Sequence, residues 1–170
     1  MSNGIFVGRF QPFHIGHLLA VKHIIKQVDV LTIVVGSAQI SHQRNNPFTA
    51  RERINMIKAG LDEEGIDCKS WLVIPAFDST SHSLWVTQLN SLVPQYECAF
   101  SNDPLTIRLL KESGIEVKEV SLINRGMYSA TEVRLRIAEG DNWNELVQSS
   151  VAEVIKNVDG VERIKQIFKI

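Results

Sequence analysis

Short apolar runs alternate with amphipathic stretches along the whole chain. The short runs predict five strands, at residues 5–7, 30–35, 71–74, 98–100 and 116–120. The second run, VLTIVV, is β-branched and apolar on both faces, which is typical of a buried parallel strand. Five alternations of strand and helix predict a Rossmann-like, doubly wound α/β fold. Its five-stranded parallel sheet has right-handed crossovers and helices on both faces.

Helix boundaries are marked by local signals. Apolar residues at helical spacing predict a first helix with a stripe from Leu18 to Val28. Two capping boxes, Thr49 to Glu52 and Ser129 to Glu132, predict further helix starts, and the first of these helices runs to about residue 61. Other helices are predicted at residues 83–92 and 104–114. We expect two more helices in residues 141–170, packed on the sheet domain or on a neighbouring subunit. Residues 1–170 are expected to form a single domain.

Composition and charge narrow the range of functions. The chain has 170 residues, 44% of them hydrophobic, which suits one well-filled core. A formal net charge of −1 gives no basic field for broad nucleic-acid binding. The longest apolar run is too short to span a bilayer, and the first residues lack the pattern of a signal peptide. We therefore expect a cytoplasmic protein with two buried thiols, Cys68 and Cys98, and no disulfide or zinc site.

The stretch GRFQPFHIGH lies between the first strand and the first helix, where ligands bind in such folds. It is neither a dinucleotide fingerprint nor a Walker loop. Gly8 allows a close turn, and Gly16 exposes helix N–H groups that favour an anion such as phosphate. Arg9, His14 and His17 would add donors around that anion. The alternatives are a metal-binding histidine pair, for which no third ligand is evident, or simple turn and cap residues.

The same stretch resembles the HxGH signature of the nucleotidyltransferase superfamily. Tyr128 to Arg134, YSATEVR, resembles the second signature of that superfamily, ISxTxxR, with Ser129, Thr131 and Arg134 at its defining places. Tyr128 replaces the isoleucine, and Ala130 stands where glycine or serine is more usual. With further matching segments, the chain resembles the archaeal type of nicotinamide-nucleotide adenylyltransferase over nearly its full length; these segments are residues 36–53, 84–86 and 101–104.

The resemblance implies transfer of AMP from ATP to nicotinamide mononucleotide (NMN), giving NAD and pyrophosphate. The attack is in line and forms no covalent intermediate, with Mg²⁺ bound mainly through the ATP phosphates and no metal site of the protein itself. Two kinds of role follow for the signature residues. The catalytic residues would be His14, His17 and Arg134. The residues that bind ATP or its phosphates would be Gly8, Arg9, Gly16, Ser129 and Thr131. The resemblance also implies a homo-oligomer, such as a hexamer.

The nicotinamide nucleotide would contact Trp85, by stacking, and Asp78, by orienting the carboxamide. Trp85 could instead be a packing residue, and Arg134 a solvated surface arginine. Arg51 and Arg53 are interpreted as a solvated helix face. His42 and His82 lie in loops, and their roles are left open, as is the use of nicotinic acid mononucleotide. Two other functions are open: another HxGH-type enzyme (a pantetheine-phosphate adenylyltransferase or a cytidylyltransferase), or a nucleotide-binding sensor without turnover.

Overall fold

The computed structural model describes residues 2–120 and 128–169. The chain forms two compact units, each made of several segments. The first consists of Met1–Arg9, Ala20–Ala38 and Asp67–Ser121, and the second of Phe10–Leu19, Gln39–Ile66 and Leu122–Ile170. The assignment of residues 1–170 to a single domain stays a prediction.

A five-stranded sheet forms the centre of the first unit. Its strands are β1 (Asn3–Gly8), β2 (Val30–Val35), β3 (Trp71–Pro75), β4 (Cys98–Phe100) and β5 (Glu116–Lys118). All neighbouring pairs are parallel, in the order β3-β2-β1-β4-β5. The predicted five-stranded parallel sheet is confirmed. Because the order reverses between β1 and β4, the carboxyl end of β1 lies at the topological switch point.

The fifth strand is shorter than predicted. The sequence pattern extends it to Val120, but the strand ends at Lys118, which pairs with Phe100, the last residue of β4. An edge strand has one neighbour, so its ladder stops where that neighbour stops.

Helices connect the successive strands, and further helices come after β5 along the chain. The described residues contain α1 (Ile15–Ile24), α2 (Ala50–Glu63), α3 (His82–Leu92), α4 (Pro104–Glu112), α5 (Ala130–Glu139), α6 (Ser149–Asn157) and α7 (Gly160–Lys169). α1 ends before Val28, which is nevertheless buried in the following loop. In the second unit α6 packs against α2, and α7 packs against α5 and α6. Over residues 2–120 and 128–169, no helix has the length and apolar character needed to cross a membrane.

The two predicted capping boxes differ in the structure. At α2 both bonds form: Thr49 Oγ1 accepts from the Glu52 N–H at 3.2 Å, and the Glu52 carboxylate accepts from the Thr49 N–H at 2.9 Å. At α5 Ser129 Oγ accepts from the Glu132 N–H at 3.1 Å, but the Glu132 carboxylate pairs with Arg136 at 2.8 Å. A guanidinium one turn along the helix competes successfully for that carboxylate.

The core of the first unit lies between the sheet and its helices. Inner-strand residues Ile5, Val7, Val34 and Ala99 pack there with residues of α3 and α4, such as Leu89. β2 is buried over almost its full length, as its apolar pattern predicted.

Two interpretations of individual residues are wrong. Cys68 is exposed, whereas Cys98 is buried as expected. Arg53 is fully buried rather than solvated, and its Nε donates to the Thr49 carbonyl at 3.3 Å. In both cases the local sequence pattern did not indicate the exposure that the structure shows.

Candidate active site

The two histidines of GRFQPFHIGH lie in the second unit at the start of α1. His14 directly precedes the helix, and its carbonyl accepts from the Leu18 N–H at 3.1 Å. His17 lies in the first turn, so the two imidazole rings come to the same side and their centroids are 3.7 Å apart. His14 is buried and His17 is partly buried. The spacing of three residues thus produces a close imidazole pair.

Aromatic side chains enclose this pair. The Phe10 and Phe13 rings lie 4.8 Å and 5.6 Å from the His17 ring, centroid to centroid, and the Phe13 ring is stacked on it. Both phenylalanines are almost completely buried. Phe10 has a φ of 51°, a left-handed backbone conformation that bulky residues adopt rarely. Such strain is often retained at functional sites, where the surrounding structure enforces it.

Burial keeps both imidazoles neutral. The pKa of His14 is lowered from 6.5 to about 3, first by burial and then by the positive charge of Arg134. The pKa of His17 is also lowered well below 6.5, by burial and then by His14. In both histidines burial is the larger cause of the lowered pKa. At neutral pH each ring therefore has one N–H to donate and no full charge, and within the described residues the His14 Nδ1 makes no hydrogen bond.

Arg134 lies on α5, which belongs to the second unit, as the two histidines do. Only 6% of its surface is exposed, so the alternative of a solvated surface arginine is wrong. Nη1 donates to the carbonyl of Gln11 at 2.8 Å, and Nη2 donates to Thr131 Oγ1 at 3.3 Å. Both of these acceptors are neutral. These two bonds hold the guanidinium in place, and its charge lies near enough to His14 to lower the pKa of that ring.

Gly16 has a packing role that the sequence did not indicate. A Cβ at this position would lie 2.9 Å from Cε1 of His14 and 3.1 Å from Cβ of Tyr128. A larger residue would therefore push the His14 ring aside. The expected contact of Gly16 with phosphate stays a prediction, as do the phosphate contacts of Ser129 and Thr131.

The remaining candidates belong to the first unit. Gly8 is the last residue of β1, its carbonyl accepts from the Gly36 N–H at 2.9 Å, and Arg9 is exposed beyond it. Asp78 is exposed, and its Oδ1 accepts from Ser37 Oγ at 3.0 Å. Trp85 is partly buried and packs against the core of this unit, as the packing alternative requires. Its contact with nicotinamide stays a prediction.

The roles of His42 and His82 stay open, and only His42 lies in a loop as expected. His42 has a φ of 57°, and its Nδ1 lies 2.9 Å from Ser41 Oγ. His82 is exposed as the first residue of α3.

One residue of the signature stretch was missed. Gln11 is 2% exposed, and its side-chain amide forms two hydrogen bonds with the backbone of Phe48. The available signal was a single amide whose neighbours Phe10, Pro12 and Phe13 are all apolar. Such a residue needs buried partners, but its sequence context does not say where they are.

The lowered pKa of His14 predicts a dependence of stability on pH. Between pH 6.5 and about 3 the unfolded chain binds more protons at this position than the folded one, so stability falls as the pH falls through that window. One such histidine lowers the free energy of unfolding by about 2–3 kcal/mol when the pH falls from 6.5 to 4.5. We expect urea unfolding of His14→Gln to show a smaller loss between these pH values than the unsubstituted protein. His23→Gln, at an exposed position of α1, should retain the full loss. Equal losses in all three proteins would contradict the prediction.

Comparison with known proteins identifies the family. Residues 5–146 match the family described as cytidylyltransferase-like. The chain is 46% identical over 166 residues to the nicotinamide-nucleotide adenylyltransferase of Archaeoglobus fulgidus, covering 95% of each chain. It is 44% identical to the enzyme of the same name from Thermococcus onnurineus, covering 98% of this chain and 88% of that one.

A solved structure shows the same fold. This is a bifunctional NMN adenylyltransferase/ADP ribose pyrophosphatase from Francisella tularensis, in complex with AMP and a manganese ion. The TM-score is 0.82 at 22% identity, over 98% of this chain and 51% of that one, so this chain spans about half of the bifunctional protein. The Rossmann-like fold class is thereby confirmed. On the family match and the two relatives, the chain belongs to the cytidylyltransferase-like family and, within it, to the nicotinamide-nucleotide adenylyltransferases.

Proposed function

We propose that this chain is a nucleotidyltransferase of NAD biosynthesis that transfers AMP from ATP to NMN, forming NAD and pyrophosphate. Its relatives of the same name support this reaction. The structural observation that carries the proposal is the pair of neutral imidazoles, His14 and His17, beside the buried guanidinium of Arg134. Neutral donors and one fixed cation suit a reaction whose substrates are already anions.

The chemistry needs charge stabilisation more than proton transfer. A phosphate oxygen of the mononucleotide attacks the α-phosphorus of ATP, a new P–O bond forms, and the bond to the pyrophosphate oxygen breaks. The attacking oxygen is already ionised, so no general base or enzyme nucleophile is required. What the protein contributes is alignment of the two substrates and donors for the charge that shifts to the departing group.

The contacts described above support a role for each candidate site residue of the second unit. The neutral rings of His14 and His17 would donate N–H groups to the phosphate oxygens around the reacting phosphorus. Arg134 would bind the β- and γ-phosphates with the guanidinium that Gln11 and Thr131 hold in place. Gly16 and Ser129 would present backbone N–H groups at the starts of α1 and α5.

The first unit would contribute four further residues. Gly8 would allow the ATP phosphates to approach the backbone at the end of β1, and Arg9, which is exposed, would contact those phosphates. Asp78, which accepts from Ser37, would orient the carboxamide of nicotinamide. Trp85 would stack on the ring with the face that does not pack against the core.

A divalent cation, Mg²⁺ in our proposal, would accompany ATP. Within residues 2–120 and 128–169, no group of three or more histidine, cysteine, aspartate or glutamate side chains is placed to hold a metal ion. Mg²⁺ prefers oxygen ligands, which neither an imidazole nor a guanidinium provides. The phosphate oxygens of ATP would therefore hold the ion, which neutralises part of the triphosphate charge. Assembly as a homo-oligomer, such as a hexamer, and a cytoplasmic location stay predictions.

The proposal is tested by a panel of acceptors. The protein is incubated with ATP and Mg²⁺ and with NMN, nicotinic acid mononucleotide or phosphopantetheine, and pyrophosphate and adduct masses are measured. A parallel series replaces ATP with CTP. We expect pyrophosphate and NAD with ATP and NMN. Turnover only with phosphopantetheine or only with CTP would favour the other HxGH-type enzymes, and ATP binding without turnover on any acceptor would favour a sensor.

A further inference from the structure

We propose that Gln11 is a positioning residue that fixes the guanidinium of Arg134 in the phosphate-binding orientation. The inference rests on the proposed function, because it assigns the Arg134 guanidinium to the triphosphate. Gln11 itself does not touch the substrates in this proposal. It acts by fixing the backbone carbonyl to which Arg134 is bonded.

The side chain of Gln11 is held at both ends of its amide. Nε2 donates to the Phe48 carbonyl at 2.8 Å, and Oε1 accepts from the Phe48 N–H at 2.9 Å. This pair of bonds satisfies both backbone groups of Phe48, and it allows only one orientation of the amide. Since Gln11 is 2% exposed, water cannot replace either bond.

The main chain of Gln11 carries this constraint to the site. Its carbonyl accepts from Arg134 Nη1 at 2.8 Å, and His14 follows three residues later. The charge of Arg134 is close enough to lower the pKa of His14. A shift of the Gln11 backbone would therefore move the acceptor of Arg134 and the start of the histidine pair together.

The anchor at Phe48 is itself rigid. Its ring is fully buried, and a Cβ at Gly160 of α7 would lie 2.6 Å from its Cε1. Arg163 donates to the Pro47 carbonyl at 3.1 Å and forms a two-pronged ion pair with Glu52, at 2.7 and 2.9 Å. The segment before α2 is therefore fastened from the C-terminal helix, and Gln11 connects this fastened segment to the Arg134 site.

Glutamine is the side chain that this arrangement requires. A glutamate at position 11 could accept from the Phe48 N–H, but its ionised carboxylate would repel the Phe48 carbonyl. A methionine would have nearly the same length and would leave both backbone groups of Phe48 without their partners. The two substitutions therefore disturb the same anchor by different means.

The test compares Gln11→Met and Gln11→Glu with a matched control, Gln148→Met. Gln148 is also a buried glutamine of the second unit, and its Nε2 donates to the Gly60 carbonyl at 3.2 Å, but it does not bond to Arg134 or to its acceptor. Melting temperature, ATP affinity by calorimetry, and KM values for ATP, pyrophosphate and NMN are measured. For both Gln11 variants we expect ATP affinity to fall about tenfold, KM for ATP and pyrophosphate to rise equally, and KM for NMN to change less than about twofold. Gln148→Met should lower the melting temperature and leave all four constants unchanged.

A double-substitution cycle provides the second readout. If Gln11 acts through Arg134, Gln11→Met combined with Arg134→Lys should weaken ATP binding by clearly less than the product of the two single effects. Gln148→Met combined with Arg134→Lys should equal Arg134→Lys alone. The proposal is overturned if Gln11→Met and Gln11→Glu lower only stability, or if the Gln11 and Arg134 effects multiply. If Gln11→Met does not fold, the same cycle with Gln11→Glu decides.

Measuring ATP binding directly tests this inference independently of NAD formation. A protein that binds ATP but forms no NAD would refute the proposed function. The loss of ATP affinity in the Gln11 variants would still test the positioning of Arg134.

Discussion

Replacing His17 with alanine is expected to lower kcat for NAD formation by about a hundredfold or more, the scale of losing one preorganised donor. The KM values for ATP and NMN should change much less, because the neutral imidazole would donate mainly to charge that develops as pyrophosphate departs. The ring is held at 3.7 Å from that of His14, centroid to centroid, and is stacked on Phe13, so its N–H is preorganised for this task. Steady-state kinetics in the forward direction measure the effect.

Two further variants separate donor loss from structural damage. His17→Gln retains an N–H donor and much of the volume between Phe10 and Phe13, so it should retain more kcat than the alanine variant. His23→Ala, at an exposed position of the same helix, should leave kcat unchanged. A His17→Ala variant that folds and retains most of its kcat would exclude His17 from the mechanism.

Arg134→Lys is expected to raise KM for ATP and for pyrophosphate together, each by about tenfold or more, which corresponds to about 1.4 kcal/mol. Lysine keeps the charge but loses the planar fork that bonds to the Gln11 carbonyl and that would bond to phosphate oxygens. Pyrophosphate is a substrate of the reverse reaction and would occupy the same position as the β- and γ-phosphates. KM for NMN should stay nearly constant.

Arg136→Lys is the control for this experiment. Arg136 lies two residues further along α5 and pairs with Glu132 at 2.8 Å and with Glu145. Because these ion pairs occupy its guanidinium, Arg136 is not expected to bind phosphate. Its substitution should therefore change KM for ATP, pyrophosphate and NMN little. Small and equal effects of the two lysine substitutions would remove Arg134 from the site.

Local patterns predicted the order of elements and most of their boundaries. A buried parallel strand such as β2 needs apolar residues on both faces, and the run VLTIVV has them. An amphipathic helix needs a stripe of apolar residues on one face, and the spacing of Leu18 and its neighbours predicted such a stripe. Capping depends on residues three positions apart, and Thr49 with Glu52 formed the box that its sequence predicts. The close pairing of His14 and His17 also follows from one turn of helix, once the helix start is known.

Interactions between distant segments decided what the local patterns could not. Arg53 and Arg134 are both on helices with polar sequences, yet both side chains are buried, which no local pattern indicates. Gln11 bonds to Phe48 across 37 positions and accepts from Arg134 across 123, and no local spacing encodes either bond. The low pKa values of the histidines have the same origin, since burial lowers them more than any nearby charge does. The sequence therefore determined which residue types could bind phosphate and where the elements lie, and tertiary packing determined which of those side chains are buried, oriented and kept neutral.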